Sequence, residues 1–136
     1  MNRTPYYPTM IKNPCCSLLN GNTSRDGYHE TMDSYLLYTA STNGTLFNQV
    51  YINSCGTNPT TVIRFFLNNG LDYTNVSNNS LFAEVELPAK TVSSSVGNSR
   101  KIKIINMALP ANYRVYVTTS SSLLVPIHVV GNVLEY

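Results

Sequence analysis

The stretch Thr61-Val62-Ile63-Arg64-Phe65-Phe66-Leu67-Asn68, followed by the turn dipeptide Asn69-Gly70, indicates a β-strand more clearly than any other part of the chain. It is rich in β-branched and aromatic residues and ends in a turn signal. Because successive side chains of a strand point to opposite sides of a sheet, Ile63, Phe65 and Leu67 share one face. Arg64 lies on the opposite face, and its charge marks that face as the outer one.

Similar segments recur on both sides of this stretch at intervals of about ten residues, separated by clusters of Gly, Asn, Ser and Pro, a spacing typical of β-sandwiches. No window shows a helical apolar period. We therefore predict an all-β fold, an antiparallel β-sandwich of the immunoglobulin-like or jelly-roll type with about seven to eight strands. The predicted strands are Ser34–Ala40, Thr45–Asn53, Thr60–Asn68, Leu81–Leu87, Lys101–Leu109, Tyr113–Thr119 and Leu123–Tyr136, the last one broken at Gly131.

The same alternation assigns core and surface positions in the other predicted strands. The predicted core residues are Ile63, Phe65, Leu67, Leu81, Val85, Ile102, Ile104, Tyr113, Val115 and Val117. This assignment leaves Phe66, Phe82, Ile105 and Tyr116 facing outward beside charged residues. Several exposed apolar side chains on one sheet face need a cover. We treat these four as a possible oligomer face, with coverage by a segment of the same chain as the alternative.

The first 33 residues differ from the rest of the chain. Pro5, Pro8 and Pro14 interrupt regular structure, and Asn20-Gly21 and Asp26-Gly27 are turn dipeptides. The segment nevertheless holds more apolar residues than a solvated tail. We predict an extended arm over 1–33 that becomes ordered against a partner, followed by a sandwich domain over 34–136; a strand of the same domain is the alternative. The predicted partner-binding residues are Tyr6, Tyr7, Met10, Ile11, Cys15, Cys16, Leu18 and Leu19.

Composition argues against several classes of function. The net charge of +2 with 12% charged residues lacks the basic field of a nucleic-acid binder. Ser, Thr and Asn make up about a third of the chain, which suits packed protein contacts. No apolar run approaches the roughly 20 residues of a membrane span, and Met1–Pro14 lacks the apolar core of a signal peptide. We therefore expect an unexported protein that binds neither nucleic acid nor membranes.

Candidate chemical groups are few, and we predict no catalytic, cofactor or metal site. The adjacent Cys15 and Cys16 lack the two-residue gap of a zinc site, and three cysteines cannot all pair within the chain. Nothing in the spacing of Cys55 and His128 supports a nucleophile-base pair. Glu84 and Glu86 have the same spacing as Lys101 and Lys103, so we expect cross-strand ion pairs rather than paired catalytic carboxylates.

Four phrases occur in order between about Gly44 and Tyr136. They are Gly44-Thr45-Leu46-Phe47, the stretch Thr61–Gly70 quoted above, Ser80-Leu81-Phe82-Ala83-Glu84-Val85-Glu86-Leu87-Pro88, and Leu109-Pro110-Ala111-Asn112-Tyr113-Arg114-Val115-Tyr116-Val117. In these phrases and their order the chain resembles a family of small bacteriophage virion structural proteins of the capsid decoration, or cement, type. The ending Gly131–Tyr136 matches the family only in part, and the residues before Ser34 lie outside the resemblance.

The resemblance implies a non-enzymatic sandwich protein, made in the host cytoplasm, that binds the major capsid protein on the capsid exterior as a homo-oligomer, often a trimer. Such a clamp stabilises a DNA-filled head by mass action and multivalency. A fully extended arm of roughly 30 residues could span about 100 Å. The alternative function is a carbohydrate- or receptor-binding module of a tail or baseplate, which would show outward aromatic and acidic residues at the loop tips.

Overall fold

Two antiparallel sheets pack face to face in the computed structural model, which describes residues 10–27 and 34–136. Within these residues the one helical segment is a short 3₁₀ helix over Val76–Asn78. No helix in the described part of the chain is long and apolar enough to cross a membrane. The strands are β1 (Met10–Lys12), β2 (Cys15–Leu18), β3 (Tyr35–Thr39), β4 (Thr45–Ser54), β5 (Thr61–Asn68), β6 (Asn79–Leu87), β7 (Arg100–Leu109), β8 (Arg114–Thr119) and β9 (Ile127–Glu135).

The five-stranded sheet has the order β1-β9-β4-β7, and β2 extends the β1 edge by pairing with the other end of β9. The four-stranded sheet has the order β3-β8-β5-β6. The core lies between the sheets, where Phe47, Ile52 and Val129 of one sheet meet Ile63 and Phe65 of the other. All five side chains are fully buried. The predicted β-sandwich is thus confirmed, and each of the seven predicted strands is present with small shifts of its ends.

The N-terminal region contains two strands of this sandwich. Cys15–Leu18 pairs with residues 127–130 of β9, and Met10–Lys12 pairs with residues 133–135. Leu18 is fully buried in the core cluster. The alternative from the sequence, a strand of the same domain, therefore describes residues 10–18. Within these residues only Leu18 is fully buried, whereas Met10 and Ile11 remain exposed.

Strand β7 differs from its predicted orientation. The register of β4 with both neighbours shifts between Phe47 and Gln49. Beyond this shift Lys101 lies opposite the buried Ile52, so the lysine points to the core side of the sheet. The predicted core residues Ile102 and Ile104 consequently face outward and are 51% and 62% exposed. An edge strand tolerates this arrangement because a lysine there can carry its ammonium group around the rim into water.

The expected ion pairs between β6 and β7 do not form within the described residues, because these strands belong to different sheets. Glu84 pairs instead with Arg64 of the neighbouring β5, and with Arg25.

The last strand begins later than predicted and is continuous. Residues 123–126 form a loop that ends at Pro126, which cannot donate to a sheet ladder. The strand passes through Gly131, whose N–H donates to the Pro14 carbonyl at 2.7 Å. A Cβ at this position would lie 3.2 Å from the Pro14 ring and 3.4 Å from the Phe47 ring. The glycine therefore serves close packing and does not break the strand.

One polar contact joins the sheets near the ends of β3 and β9. The Tyr38 hydroxyl donates to the Glu135 carboxylate and lies 3.1 Å from the Thr45 hydroxyl. Burial raises the pKa of Tyr38 to about 12, and the hydrogen bond to Glu135 adds to the rise. The hydrogen bond from Tyr38 lowers the pKa of Glu135. Glu135 also pairs with Lys12 at 3.3 Å, which ties β1 to the same group.

Candidate binding face

The outer face of the five-stranded sheet presents a wide, nearly uncharged surface, which we call the open face. It consists of the outward side chains of β9, β4 and β7 together with those of β1 and β2. Three isoleucines on it are strongly exposed: Ile11 at 68%, Ile102 at 51% and Ile104 at 62%. The remaining apolar members are half-buried: Leu46, Tyr51, Val130 and Leu134.

The register places these side chains in rows across the strands. Cys15 lies opposite Val130, Val130 opposite Tyr51, and Tyr51 opposite Ile102. This row crosses four strands, a width of about 15 Å at the usual strand spacing of about 4.8 Å. A second row, from Ile11 through Leu134 and Leu46 to Ala108, crosses the sheet near its other end. The row between them holds Asn132, Gln49 and the exposed Ile104, so amides separate the two apolar rows and Ile104 extends the first row along β7.

Polar side chains on the open face are mostly amides that bond to each other or to tyrosine. The Asn48 amide donates to Asn132 at 3.2 Å, and the Gln49 amide donates to the Tyr51 hydroxyl. The Arg100 guanidinium lies 5.8 Å from the centre of the Tyr51 ring, within the range of a cation–π contact. Arg100, at one corner, is the one Lys, Arg, Asp or Glu residue among the outward side chains of this face in the described part of the chain.

The aromatic residues on the outer face of the four-stranded sheet are covered by the same chain. Phe66 lies opposite Tyr116, and these residues are only 1% and 6% exposed. Tyr73, from the loop before β6, stacks on Tyr116 with ring centres 4.9 Å apart. Phe82 packs against the core beside Phe65, and Ile105 also packs against the core cluster. The predicted oligomer face of Phe66, Phe82, Ile105 and Tyr116 is therefore wrong, because these residues do not share an exposed face.

An ion-pair cluster completes the cover on the four-stranded sheet. The Glu84 carboxylate accepts from the Nε atoms of Arg64 and Arg25, both at 2.8 Å. The hydrogen bond from Arg64 lowers the pKa of Glu84, and the one from Arg25 lowers it further. The Arg64 side chain is almost fully buried, and its Nη1 has no hydrogen-bond partner. Glu84 is therefore the main compensation for a buried cation.

Cys55 and His128 contact each other at the rim of the open face, although their spacing in the sequence gave no sign of it. The Cys55 Sγ lies 3.3 Å from both ring nitrogens of His128. Each imidazole nitrogen donates or accepts outward in the ring plane. A sulfur equidistant from both nitrogens is aligned with neither, so it packs against the ring as in a sulfur–aromatic contact. This geometry is not that of a thiol activated by a base.

The other two cysteines line a shallow cavity with Ser17, His128 and Val130. All three cysteines are free thiols. Burial raises the pKa of the Cys16 thiol to about 12, and the neighbouring Cys15 adds to the rise. Cys16 therefore stays protonated at neutral pH and is a poor nucleophile and metal ligand. The described residues contain no group of three or more His, Cys, Asp or Glu side chains placed to hold a metal ion.

The predicted arm residues have different environments. Tyr6 and Tyr7 lie outside the described residues. Met10, Ile11, Cys15 and Leu19 are exposed, whereas Cys16 is half-buried. The assignment of Leu18 to a partner contact is wrong, because its side chain fills the core of its own sandwich.

No protein-family model matches the chain, and neither does any curated protein. Two solved structures to which the chain shows similarity are those of infectious bursal disease virus, Gx and Gt strains. Their TM-scores are 0.38 and 0.35, at 7% and 8% sequence identity. The alignments cover 98% of this chain but 34% and 33% of the virus chains, so this chain spans about a third of their length. Likeness at this level carries no information on function.

Proposed function

We propose that this chain is a non-enzymatic structural protein of a bacteriophage particle, which decorates the outer surface of the capsid and stabilises the DNA-filled head. Its partners in this proposal are the major capsid protein and further copies of itself. It is made in the host cytoplasm and ends on the capsid exterior. Neither nucleic acid nor a membrane is a partner.

The open face is the observation that carries this proposal. A sheet face of this width with three strongly exposed isoleucines supports a protein-binding role, because exposed apolar patches on monomers mark interaction sites. Its amides and single arginine offer little to a charged small molecule. A protein that exposes isoleucines on a flat sheet face is suited to assembly.

The four phrases that resemble phage decoration proteins correspond to strands and turns of the sandwich. Gly44–Phe47 contains the turn glycine before β4 and the start of that strand. Thr61–Gly70 is β5 with its turn, and Ser80–Pro88 covers most of β6. Leu109–Val117 is the corner into β8, in which the Tyr113 N–H donates to the Pro110 carbonyl at 3.2 Å. The resembling phrases are therefore structural units of one sandwich, which supports the proposal at the level of fold.

The arm of the proposal is shorter than the sequence indicated. Residues 10–18 are engaged in the edge of their own sheet, so the segment available to reach a capsid subunit precedes Met10. Tyr6 and Tyr7 are its large apolar side chains and its proposed contacts.

The rival function, a receptor-binding module of a tail or baseplate, requires free aromatic and acidic side chains at loop tips. Tyr73 and Asp72 are adjacent in the long loop before β6, but both are engaged. Tyr73 stacks on Tyr116, and the Asp72 carboxylate accepts from the backbone and the hydroxyl of Thr74. This observation favours the decoration role.

A reconstitution experiment tests the proposal. Heads and tails of the phage that encodes this chain would be prepared without it, mixed separately with the purified full chain, and pelleted. We expect saturable binding to heads, little binding to tails, and a higher temperature of DNA release from decorated heads. A chain lacking residues 1–9 is the matched variant and should bind heads more weakly. Binding to tails alone would overturn the decoration role.

A further inference from the structure

The two outer faces of this sandwich carry similar apolar material and differ in what covers it. On the four-stranded sheet, Phe66 and Tyr116 are buried under segments of their own chain. On the five-stranded sheet, Ile102 and Ile104 are more than half exposed. We propose that the open face is covered by the open face of a second copy, so that two chains pack sheet against sheet around a two-fold axis. The dimer itself does not depend on the proposed function; only its location on a capsid rests on that proposal.

Charge supports a second copy as the occupant. A face that meets itself must avoid placing like charges together. The open face carries its one formal charge, Arg100, at the end of the edge strand β7. A two-fold axis along the strands places Arg100 near the β2 edge of the other copy, beside Cys15 or Ser17. An axis across the strands places it near Ala108. Neither arrangement opposes Arg100 to itself.

The edge strand supports packing by faces rather than by edges. Lys101 and Lys103 point toward the core side of β7 and emerge at its rim. Edge pairing of β7 with β7 of another copy would place these lysines against their equivalents, which is a recognised obstacle to strand addition. The lysines leave the opposite face of the strand, with Ile102 and Ile104, unobstructed.

The size of the face fits a weak, specific dimer. Four strands at about 4.8 Å and the seven residues from His128 to Leu134 at about 3.3 Å each give about 19 by 23 Å. Two copies would together cover on the order of 900 Å² of flat area, to which side-chain relief adds, against a lower limit near 1,000 Å² for specific interfaces. We therefore expect dissociation in the micromolar range. We expect a dimer and not the trimer implied by the resemblance, because a single flat face that packs against the same face of a second copy is then fully covered.

Sedimentation velocity of the purified full chain at about 5 to 200 µM tests the inference without any capsid. The wild type should shift from 15.1 kDa toward twice that mass as concentration rises. Ile104→Glu and Ile102→Glu introduce a charge on the open face and should remain monomeric over this range. Leu71→Glu is the matched control, since Leu71 is 60% exposed in a loop away from this face, and it should dimerise like the wild type. Circular dichroism confirms that each variant is folded.

A second measurement identifies the face. Cys15 lies on the open face and is exposed in one copy. Its alkylation should slow at least several-fold at dimer-forming concentrations in the wild type, and not in Ile104→Glu. A monomeric wild type at 200 µM, a trimer, or a dimer that Ile104→Glu leaves intact would each overturn the inference. Failure of the chain to bind heads would count against the proposed function alone.

Discussion

Leu18 of β2 lies opposite Ile127 of β9, and both side chains are completely buried. The N-terminal segment, which the sequence predicts to be an arm, thus contributes a side chain to the core. Replacement of Leu18 by Ala removes buried methyl groups and leaves a cavity, so we expect a loss of about 2–5 kcal/mol in the free energy of unfolding. Urea denaturation measures it. Leu19→Ala, at a 41% exposed neighbour, is the control and should change stability by less than about 0.5 kcal/mol. Equal effects at both positions would contradict the placement of β2.

Truncations should distinguish residues 1–9 from the strands that belong to the sandwich. A chain that begins at Met10 keeps both pairings with β9, and we expect its melting temperature to stay near that of the full chain. A chain that begins at Leu19 loses β1, β2 and the Leu18 side chain, and exposes one edge of β9. We expect it to unfold at a much lower temperature or to aggregate through that edge. Differential scanning calorimetry distinguishes the two, and a stable chain from Leu19 would show that β1 and β2 are dispensable.

Stability should fall in acid through Glu84. The pKa of this carboxyl group is lowered in the folded state, chiefly by Arg64 and then by Arg25. Its contribution is therefore complete above the ordinary pKa of 4.5 and is lost as the pH falls through the lower folded value. We expect Glu84→Gln to be less stable than the wild type at pH 7, because the buried Arg64 loses its counter-charge, and to show a smaller loss on acidification.

Urea midpoints between pH 7 and pH 3 test this expectation. Glu86→Gln is the control, since Glu86 is exposed on the same strand and forms no ion pair within the described residues. Parallel pH curves for the wild type and Glu84→Gln would show that the Arg64–Glu84 pair contributes no acid-dependent stability.

The three thiols should react at different rates. Cys15 and Cys55 are exposed, whereas Cys16 is half-buried with its pKa raised to about 12. The thiolate is the reactive form, so for a chain dilute enough to be monomeric we expect iodoacetamide at pH 7.5 to modify two cysteines promptly and the third only on unfolding. Intact-mass spectrometry counts the additions. Cys16→Ser should still take up two, and Cys15→Ser one. Rapid modification of all three would mean that Cys16 is accessible.

Much of the strand pattern was predictable from local alternation. Ile63, Phe65 and Val117 face the core as predicted, because these stretches of β5 and β8 keep the period of two. The same rule failed for Ile102 and Ile104. Both faces of β7 carry apolar residues, and those that pack against the core are Ile105, Met107 and Leu109, so alternation from them turns Ile102 and Ile104 outward. It also failed to show that Tyr73 covers Tyr116, since that contact joins segments 43 residues apart.

The amino-acid sequence by itself determined the all-β class, the positions of seven strands and the scarcity of charge, because these depend on short-range alternation and composition. Tertiary packing alone decided that residues 10–18 complete a sheet, that Cys55 touches His128, and that the surface left uncovered is the outer face of the five-stranded sheet. The reason is physical. Side-chain direction is a local property of the backbone, whereas burial depends on which distant segment arrives to cover a face.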